Sequence, residues 1–400
     1  MKIFLRVSLI LFSLACLPAQ LLPAQSTVQN VTMTPSAADP YLKLMQRAAA
    51  HAKAHQAQHL PVLSPVDSSL LEATPRVNVQ TLHAAGFKVV PWTTNDPAKM
   101  RALIALGVDG IISDYPNRLA DVIAETRAAG NPLTGFDFSA HRGGRGMRPE
   151  NTLPSFENGM DQGATELETD TGVTTDGVSL IWHDQFLNPE SCRRQDGAAY
   201  TMENRVYIKD ISMTDAQKIF VCDKLHFGAE QKNDLALSPV AVAFAKAEGL
   251  ASPYVPTNVE QLFRFTRFYT EYYTTGAGKD APHAKERAHT GATVRFNLET
   301  KILPDRLPAA VAGHQEANAP ADLYKNHTVG PDVFVKTLCG AIVRNQMESR
   351  SEVQSFDFRT LQLVEEQYPA IPTYYLTNNA KLLSSEFVPE SLRLSEDDTK

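Results

Sequence analysis

The stretch GVDGIISDYPNRL, residues 107–119, decides the fold although it comes early in the chain. Gly107 is a helix stop, Ile111 and Ile112 make a short buried strand, and Asp114 stands at that strand's C-terminal end before Pro116 breaks it. A carboxylate in that position belongs to the rim of an α/β active site. Working outward, strand-like and helix-like segments alternate. FKVVPW (87–92) precedes the helix PAKMRALIAL, with Asp96 as its cap and Pro97 in first position, and GIIS (110–113) precedes NRLADVIAETRAAG. FDFSA (136–140), TELETD (165–170), VSLIW (178–182), TVRFNL (293–298), EVQSFD (352–357) and IPTYYL (371–376) bring the count of strand-like segments to eight. Helical patterns such as TLPSFENGMDQG, NVEQLFRFTRFYTEYY and RTLQLVEEQ follow most of them. The alternation predicts an α/β protein, a (β/α)8 TIM barrel with a long insertion at 184–255 after the third strand of FDFSA, TELETD, VSLIW.

Composition agrees with this size and narrows the partners. The 400 residues, 43% hydrophobic and 21% charged, suffice for a barrel of about 250 residues with insertions. A net charge of −7 argues against nucleic acid and against steering to anionic lipid. Residues 1–26, MKIFLRVSLILFSLACLPAQLLPAQS, have a basic start, an apolar run from Val7 to Leu17 and small residues at Ala24 and Ser26. They read as a signal peptide cleaved after Ser26, hence a protein exported to the periplasm or secreted. The alternatives are an uncleaved anchor, for which the run is short, and a lipoprotein site at Cys16, where Ser13 replaces the usual aliphatic residue. No stable membrane insertion is expected. Oxidising surroundings would let Cys192 and Cys222 close a loop worth about 3 to 4 kcal/mol in unfolded-chain entropy, while Cys339 reads as a buried apolar thiol.

The chemistry gathers at strand ends. Glu168 and Asp170 are two residues apart on one strand, so their side chains share a face while Leu167 and Thr169 point to the other layer. Carboxylates forced together repel unless a cation lies between them, and oxygen ligands suit one hard divalent ion, Ca2+ or Mg2+. In FNLETK the same period aligns Asn297, Glu299 and Lys301. The plainer alternative for either strand is a surface salt-bridge ladder. His141, followed by Arg142-Gly143-Gly144, and His183, beside Asp184, end two further strand-like segments, and two imidazoles at one rim with three carboxylates suit cleavage of a phosphodiester.

HRGGRGMRPENTLPSF (141–156), GATELETDTGVTTDG (163–177), IWHD (181–184), FNLETK (296–301), VQSFD (353–357), VVPWTTN (89–95) and GVDGIISDYP (107–116) resemble the motifs of the glycerophosphodiester phosphodiesterase family, over most of residues 62–377. The resemblance implies a (β/α)8 barrel with one metal ion that hydrolyses glycerophosphodiesters to glycerol 3-phosphate and an alcohol. It implies that Glu168, Asp170 and Glu299 hold the metal, that His141 and His183 are the acid-base pair, that Arg142 and Lys301 contact phosphate and that Trp92 lines the cleft. It also implies that the nucleophile is the substrate's own 2-hydroxyl. Two other readings stay open: a phospholipase-type enzyme acting on lysophospholipid or sphingomyelin, which would need an apolar rim in the 184–255 insertion, and a non-catalytic glycerophosphodiester-binding protein.

The motif order departs from the family's. The W-T-x-N and G-V-D-G-I-I-x-D-Y-P motifs, which usually follow QSFD, come first here. A circular permutation accounts for this: 62–130 supplies the last two βα units, 136–377 the first six, and NPLTGF (131–136) makes the joint. FKVVPW should then pair with IPTYYL, and Ile111 and Ile112 should lie beside 136–140. The competing account is a domain fragment fused to a truncated second copy, which would leave open sheet edges. Outside the barrel, 27–61 reads as an N-terminal helical segment and 378–400 as a polar tail. His51, His55 and His59 recur on one helical face with no carboxylate nearby in sequence, and read as a solvated face. Residues 274–292 read as a flexible linker or as a lid over the phosphate site.

Overall fold

A computed structural model describes residues 39–302, 325–385 and 388–399; the signal-peptide reading of 1–26 falls outside these. The strands are β1 (Val62–Pro65), β2 (Gly110–Ser113), β3 (Asp137–Ala140), β4 (Glu166–Val173), β5 (Ser179–Ile181), β6 (Arg193–Arg194), β7 (Phe220–Val221), β8 (Thr257–Asn258), β9 (Arg295–Thr300), β10 (Ser351–Ser355) and β11 (Thr373–Thr377). Seven of them lie side by side in the order β1-β11-β10-β9-β4-β3-β2, and every neighbouring pair is parallel. The chain at 88–92 bridges the two ends. On one side Leu63 N–H donates to Lys88 O (3.0 Å) and Trp92 N–H to Pro65 O (3.0 Å). On the other, Asp109 N–H donates to Val89 O (2.9 Å) and Ile112 N–H to Pro91 O (3.0 Å). This eighth position closes the barrel: it makes isolated parallel bridges with β1, Leu63 to Val89 and Val66 to Trp92, and single backbone hydrogen bonds toward β2, the side on which Pro91 has no N–H to offer.

The early stretch sits where a barrel closed by its own first residues requires, with Ile111 opposite Phe138 and Ile112 opposite Ser139. Gly107 ends the helix Pro97–Leu106 in the left-handed conformation (φ 86°). Two strand assignments differ from expectation. VSLIW is no barrel strand: Ser179–Ile181 turns back through Thr174–Val178 and pairs antiparallel with the outer end of β4 and with β8. A short apolar run is equally at home in a hairpin, and β4, at 8 residues, extends beyond its part in the barrel. Its place is taken by Val62–Pro65, which pairs with β11, so FKVVPW lies between β1 and β2 and not against IPTYYL. Four residues hemmed by Pro61 and Pro65 carry almost no strand signal. Residues 62–130 therefore supply three barrel strands, β3 to β11 supply five, and the 184–255 insertion follows the second of those five.

Side-chain alternation sorts the barrel into two layers. Leu63, Ile111, Phe138, Leu167, Phe296 and Val353 face the surrounding helices in the main core. Val62, Val90, Ile112 and Tyr374 form a second cluster, on the alternate face of the strands. Near the start of the strands Arg295 Nη2 joins Asp137 (2.7 Å) and Glu166 (2.9 Å), and Tyr374 OH donates to Asp137 across the barrel (3.3 Å).

Outside the barrel the insertion has its own small core around Trp182, Leu187 and Phe220, stapled by the Cys192–Cys222 disulfide; Cys339 is buried and free. The helix Pro40–Ala54, capped by Asp39, buries Tyr41, Leu44, Met45, Ala48 and Ala52 at helical spacing. The tail is less polar in structure than in composition, because Leu383, Val388, Leu392 and Leu394 are all buried. Residues 274–292 are neither open linker nor lid over their length: Ala284–Thr293 is a helix packed against Val259–Thr274 through the small residues Ala284, Ala288 and Gly291. No helix among the described residues is long and apolar enough to cross a membrane. Deleting residues 1–133 removes three adjacent staves and exposes the edges of β3 and β11, so the 134–400 fragment should elute as aggregate in size-exclusion chromatography; a soluble, folded fragment would show that the early segment closes nothing.

Candidate active site

The site is built at the C-terminal ends of the strands. β3 delivers His141, and the chain then turns sharply, with Arg142 in the left-handed region (φ 50°, ψ 35°). Gly143 follows at φ 78°, and a Cβ there would come 2.5 Å from Ser155 Oγ, so only glycine lets the loop lie on the helix Leu153–Asp161. The strained turn aims the Arg142 N–H at Glu168 Oε2 (2.8 Å).

β4 carries Glu168 and Asp170 on one face, and β9 sets Glu299 directly opposite Asp170 in the register. All three are buried, and their ligand atoms lie within 4.8 Å of one another, which rules out a surface ladder. Glu168 Oε1 accepts from Gln354 Nε2 (2.7 Å) and Asp170 Oδ2 from Asn151 Nδ2 (2.9 Å). Lys301 Nζ reaches Glu299 Oε1 (2.9 Å), and Arg142 Nε lies 3.2 Å from Asp170 Oδ2. Burial, then the charges of Asp170 and Glu299, push the Glu168 carboxyl well above its ordinary value. Burial lifts Glu299 to about 7 although Lys301 opposes it. Asp170 goes the other way: burial is overcome by Arg142 and by the neighbouring His183 and Lys301. Asp170 Oδ1 has no hydrogen-bond partner among the described residues. An all-oxygen donor set, crowded negative charge and one unsatisfied buried oxygen fit a hard divalent cation.

The two imidazoles are each held by a carboxylate. His141 Nδ1 is 2.5 Å from Asp114 Oδ1, which also accepts from Arg145 Nε (2.7 Å), while Asn95 Nδ2 donates to Asp114 Oδ2 (2.7 Å). His141 Nε2 faces inward, 3.8 Å from Glu168 Oε2. His183 Nδ1 is 2.8 Å from Asp184 Oδ1, and Asn188 Nδ2 holds the other Asp184 oxygen (2.8 Å). Burial lowers both imidazole pKa values, against the pull of the carboxylates. Burial also works to raise Asp114 and Asp184, but the histidines outweigh it, leaving Asp184 at about 2 and Asp114 lower still.

A cleft of about 130 Å³ is lined by Trp92, His141, Arg142, Glu168, His183, Glu299 and Lys301, which are all the residues given site roles by the resemblance except the buried Asp170. Trp92 reaches it from the closing segment; its indole N–H donates to Ser64 O (2.9 Å) and its ring meets Phe356 edge-on at 5.3 Å. Arg142 lines the cleft while Glu150 (2.9 Å) and Asp170 engage its guanidinium, and Lys301 lines it beside Glu299. The sequence reading gave no role to Asp114, Asp184, Glu150, Arg145, Gln354 or Phe356. Asp114 had been visible as a rim carboxylate, but its pairing with His141 emerges only once β2 and β3 are neighbours.

The chain is similar in part to several known proteins. Local matches include a mouse (Mus musculus) lysophospholipase D GDPD3, 43% identical over 65 residues, which are 16% of this chain and 20% of that protein. The human (Homo sapiens) lysophospholipase D GDPD3 is 33% identical over 109 residues, 27% of this chain and 33% of that protein. The chain thus spans a third or less of the length of these relatives. Among solved structures, an Oleispira antarctica phosphodiesterase in complex with the product sn-glycerol-3-phosphate aligns at 14% identity and a TM-score of 0.34, over 59% of this chain and 64% of that one. The model of the glycerophosphoryl diester phosphodiesterase family matches residues 13–118 and 141–388, most of the sequence, and the chain belongs to that family.

Proposed function

We propose that the protein hydrolyses glycerophosphodiesters to glycerol 3-phosphate and an alcohol, with His141 and His183 as the acid-base pair and one divalent cation, Ca2+ or Mg2+, held by Glu168, Asp170 and Glu299. The observation that carries this reading is the pair of carboxylate-oriented imidazoles in one cleft with the buried three-carboxylate cluster. Asp114 and Asp184 each take the Nδ1–H of their histidine, which leaves both Nε2 atoms for proton transfer. One ring takes at Nε2 the proton of the substrate's own 2-hydroxyl as that oxygen attacks phosphorus, and the other, which enters this step protonated at Nε2 as well, gives that proton to the departing alkoxide. Water then opens the resulting cyclic phosphate, with the proton roles reversed, to give glycerol 3-phosphate. Arg142 and Lys301 offer positive charge to the phosphate, and Trp92 with Phe356 forms an apolar wall. A bound cation would offset the negative charge that grows on the phosphate oxygens.

A second reading, a lysophospholipid as substrate, draws on the local likeness to lysophospholipase D and on the rim. There the insertion contributes Phe227, packed 4.1 Å under the Arg145 guanidinium and beside Tyr115. Release of choline from glycerophosphocholine and from lysophosphatidylcholine, compared on one preparation, separates the two; binding of either without turnover would support a non-catalytic binder.

Export is also proposed. The Cys192–Cys222 disulfide supports an oxidising compartment. The chain recovered outside the cytoplasm should begin at Thr27, and recovery only with Met1 at its start would contradict cleavage.

His141→Ala and His183→Ala should each lower kcat on glycerophosphocholine by about 10² to 10⁴-fold. Asp114→Asn should lower kcat within the same range with little change in KM, because the ring loses its tautomer while the cleft keeps its shape; a wild-type kcat would remove Asp114 from the machinery. For the metal, Ca2+ or Mg2+ at 100 times its Kd should stabilise the chelator-stripped protein by about 2.7 kcal/mol in thermal melts, and Glu299→Gln should shrink that gain. Metal binding must displace the protons that burial keeps on Glu168 and Glu299, so affinity rises with pH. Below about 7, calorimetric titration should show binding weakening by up to roughly a hundredfold per pH unit, tenfold for each of the two protons displaced. Affinity independent of pH between 6 and 8 would exclude these carboxylates as the ligands.

A further inference from the structure

His51, His55 and His59 do not share a helical face, since the helix ends at Ala54 and His59 is exposed beyond it, and no carboxylate is near them in sequence. The fold supplies two. His51 in the last turn of Pro40–Ala54 and His55, its C-cap, lie with ring centroids 4.6 Å apart and ring planes tilted by 32°, and face the C-terminal end of the helix Phe358–Gln367. Glu366 Oε1 lies 3.2 Å from His51 Nε2 and 3.9 Å from His55 Nε2, and one ligand atom from each of the three residues falls within 4.8 Å of the others. A tetrahedral zinc site, with bonds of about 2.0 to 2.1 Å, sets its ligand atoms roughly 3.4 Å apart, so small side-chain rotations suffice.

The independent observation is Glu365. Its carboxylate is 2% exposed and places Oε2 2.7 Å from His51 Nδ1. The other oxygen, Oε1, accepts from Thr373 Oγ1 and Tyr375 OH, both at 2.9 Å. A carboxylate anchored from the barrel wall thus fixes His51 with Nδ1 as donor and Nε2 turned toward His55 and Glu366. This is how metal-binding histidines are oriented by a second carboxylate behind them. We propose that His51, His55 and Glu366 form a second metal site, selective for zinc, with Glu365 as the positioning residue and water completing the coordination.

The donor set separates this site from the cleft. Two imidazoles and one carboxylate in a half-exposed setting suit a borderline ion such as Zn2+, whereas the three buried carboxylates suit a hard one. Position separates them too: the helix Phe358–Gln367 starts at the catalytic rim, just after β10, so Glu366 at its far end lies toward the opposite end of the barrel. Zinc here would pin the N-terminal helix to the barrel and leave the chemistry alone. The proposal is independent of the phosphodiesterase reading.

The test uses the full chain, stripped with chelator and then held in saturating Mg2+ to occupy the carboxylate cluster, with Zn2+ as the probe. Wild type should bind one equivalent of zinc by calorimetry and melt at a higher temperature with zinc than without. His55→Ala and Glu366→Gln, both at partly exposed positions that folding does not require, should each weaken zinc binding at least tenfold and abolish the thermal shift. Glu168→Gln should leave both intact. No zinc binding by wild type, or binding and shift unchanged in His55→Ala, would overturn the proposal and leave a plain His51–Glu365 ion pair.

Discussion

Three buried carboxylates confined within a few ångströms at the C-terminal ends of the barrel strands repel one another, and much of the surrounding structure answers that repulsion. Arg142 and Lys301 bring positive charge to Asp170 and Glu299, while Gln354, Asn151 and the Arg142 backbone N–H each donate to a carboxylate oxygen. Even so, burial leaves Glu168 and Glu299 reluctant to ionise, and Asp170 Oδ1, 3.7 Å from Lys301 Nζ, receives no hydrogen bond among the described residues. A cluster of this kind costs stability unless a cation joins it. Such a cluster at the C-terminal ends of barrel strands is the arrangement expected of a functional site.

The closing segment links that cluster to catalysis. β2 and the 88–92 stave come from residues that precede His141, yet they supply Asp114, which orients His141, Asn95, which orients Asp114, and Trp92, which walls the cleft. Chain order and spatial order are thus uncoupled. A closed barrel tolerates this because the joint between the helix Pro116–Ala128 and β3 spans only a short loop. The left-handed turn at Arg142 serves both sides, since it aims one N–H into the cluster while the loop beyond it carries Arg145 to Asp114.

Much of this was legible in the residues. Period-2 alternation put Glu168 and Asp170 on one face and aligned Glu299 with Lys301, and Gly107 with the Ile pair marked the closing strand. Other parts were hidden for physical reasons. Val62–Pro65 is bounded by prolines and too short to show a period, and VSLIW has an apolar content that suits either a stave or a hairpin. Pairings across long sequence separations, such as His141 with Asp114 or His51 with Glu365, exist only once strands and helices are neighbours. The tail's buried leucines sit among charges that dominate its composition.

The central claim is that the carboxylate cluster is a metal centre. Anomalous diffraction from crystals grown with Mn2+, a hard divalent ion that scatters strongly enough to locate, tests it most directly. The account predicts a single strong peak within coordination distance of Glu168, Asp170 and Glu299, with the Asp170 oxygen that receives no hydrogen bond among its ligands. A cluster without a peak, its carboxylates protonated and hydrogen-bonded to one another, would contradict it.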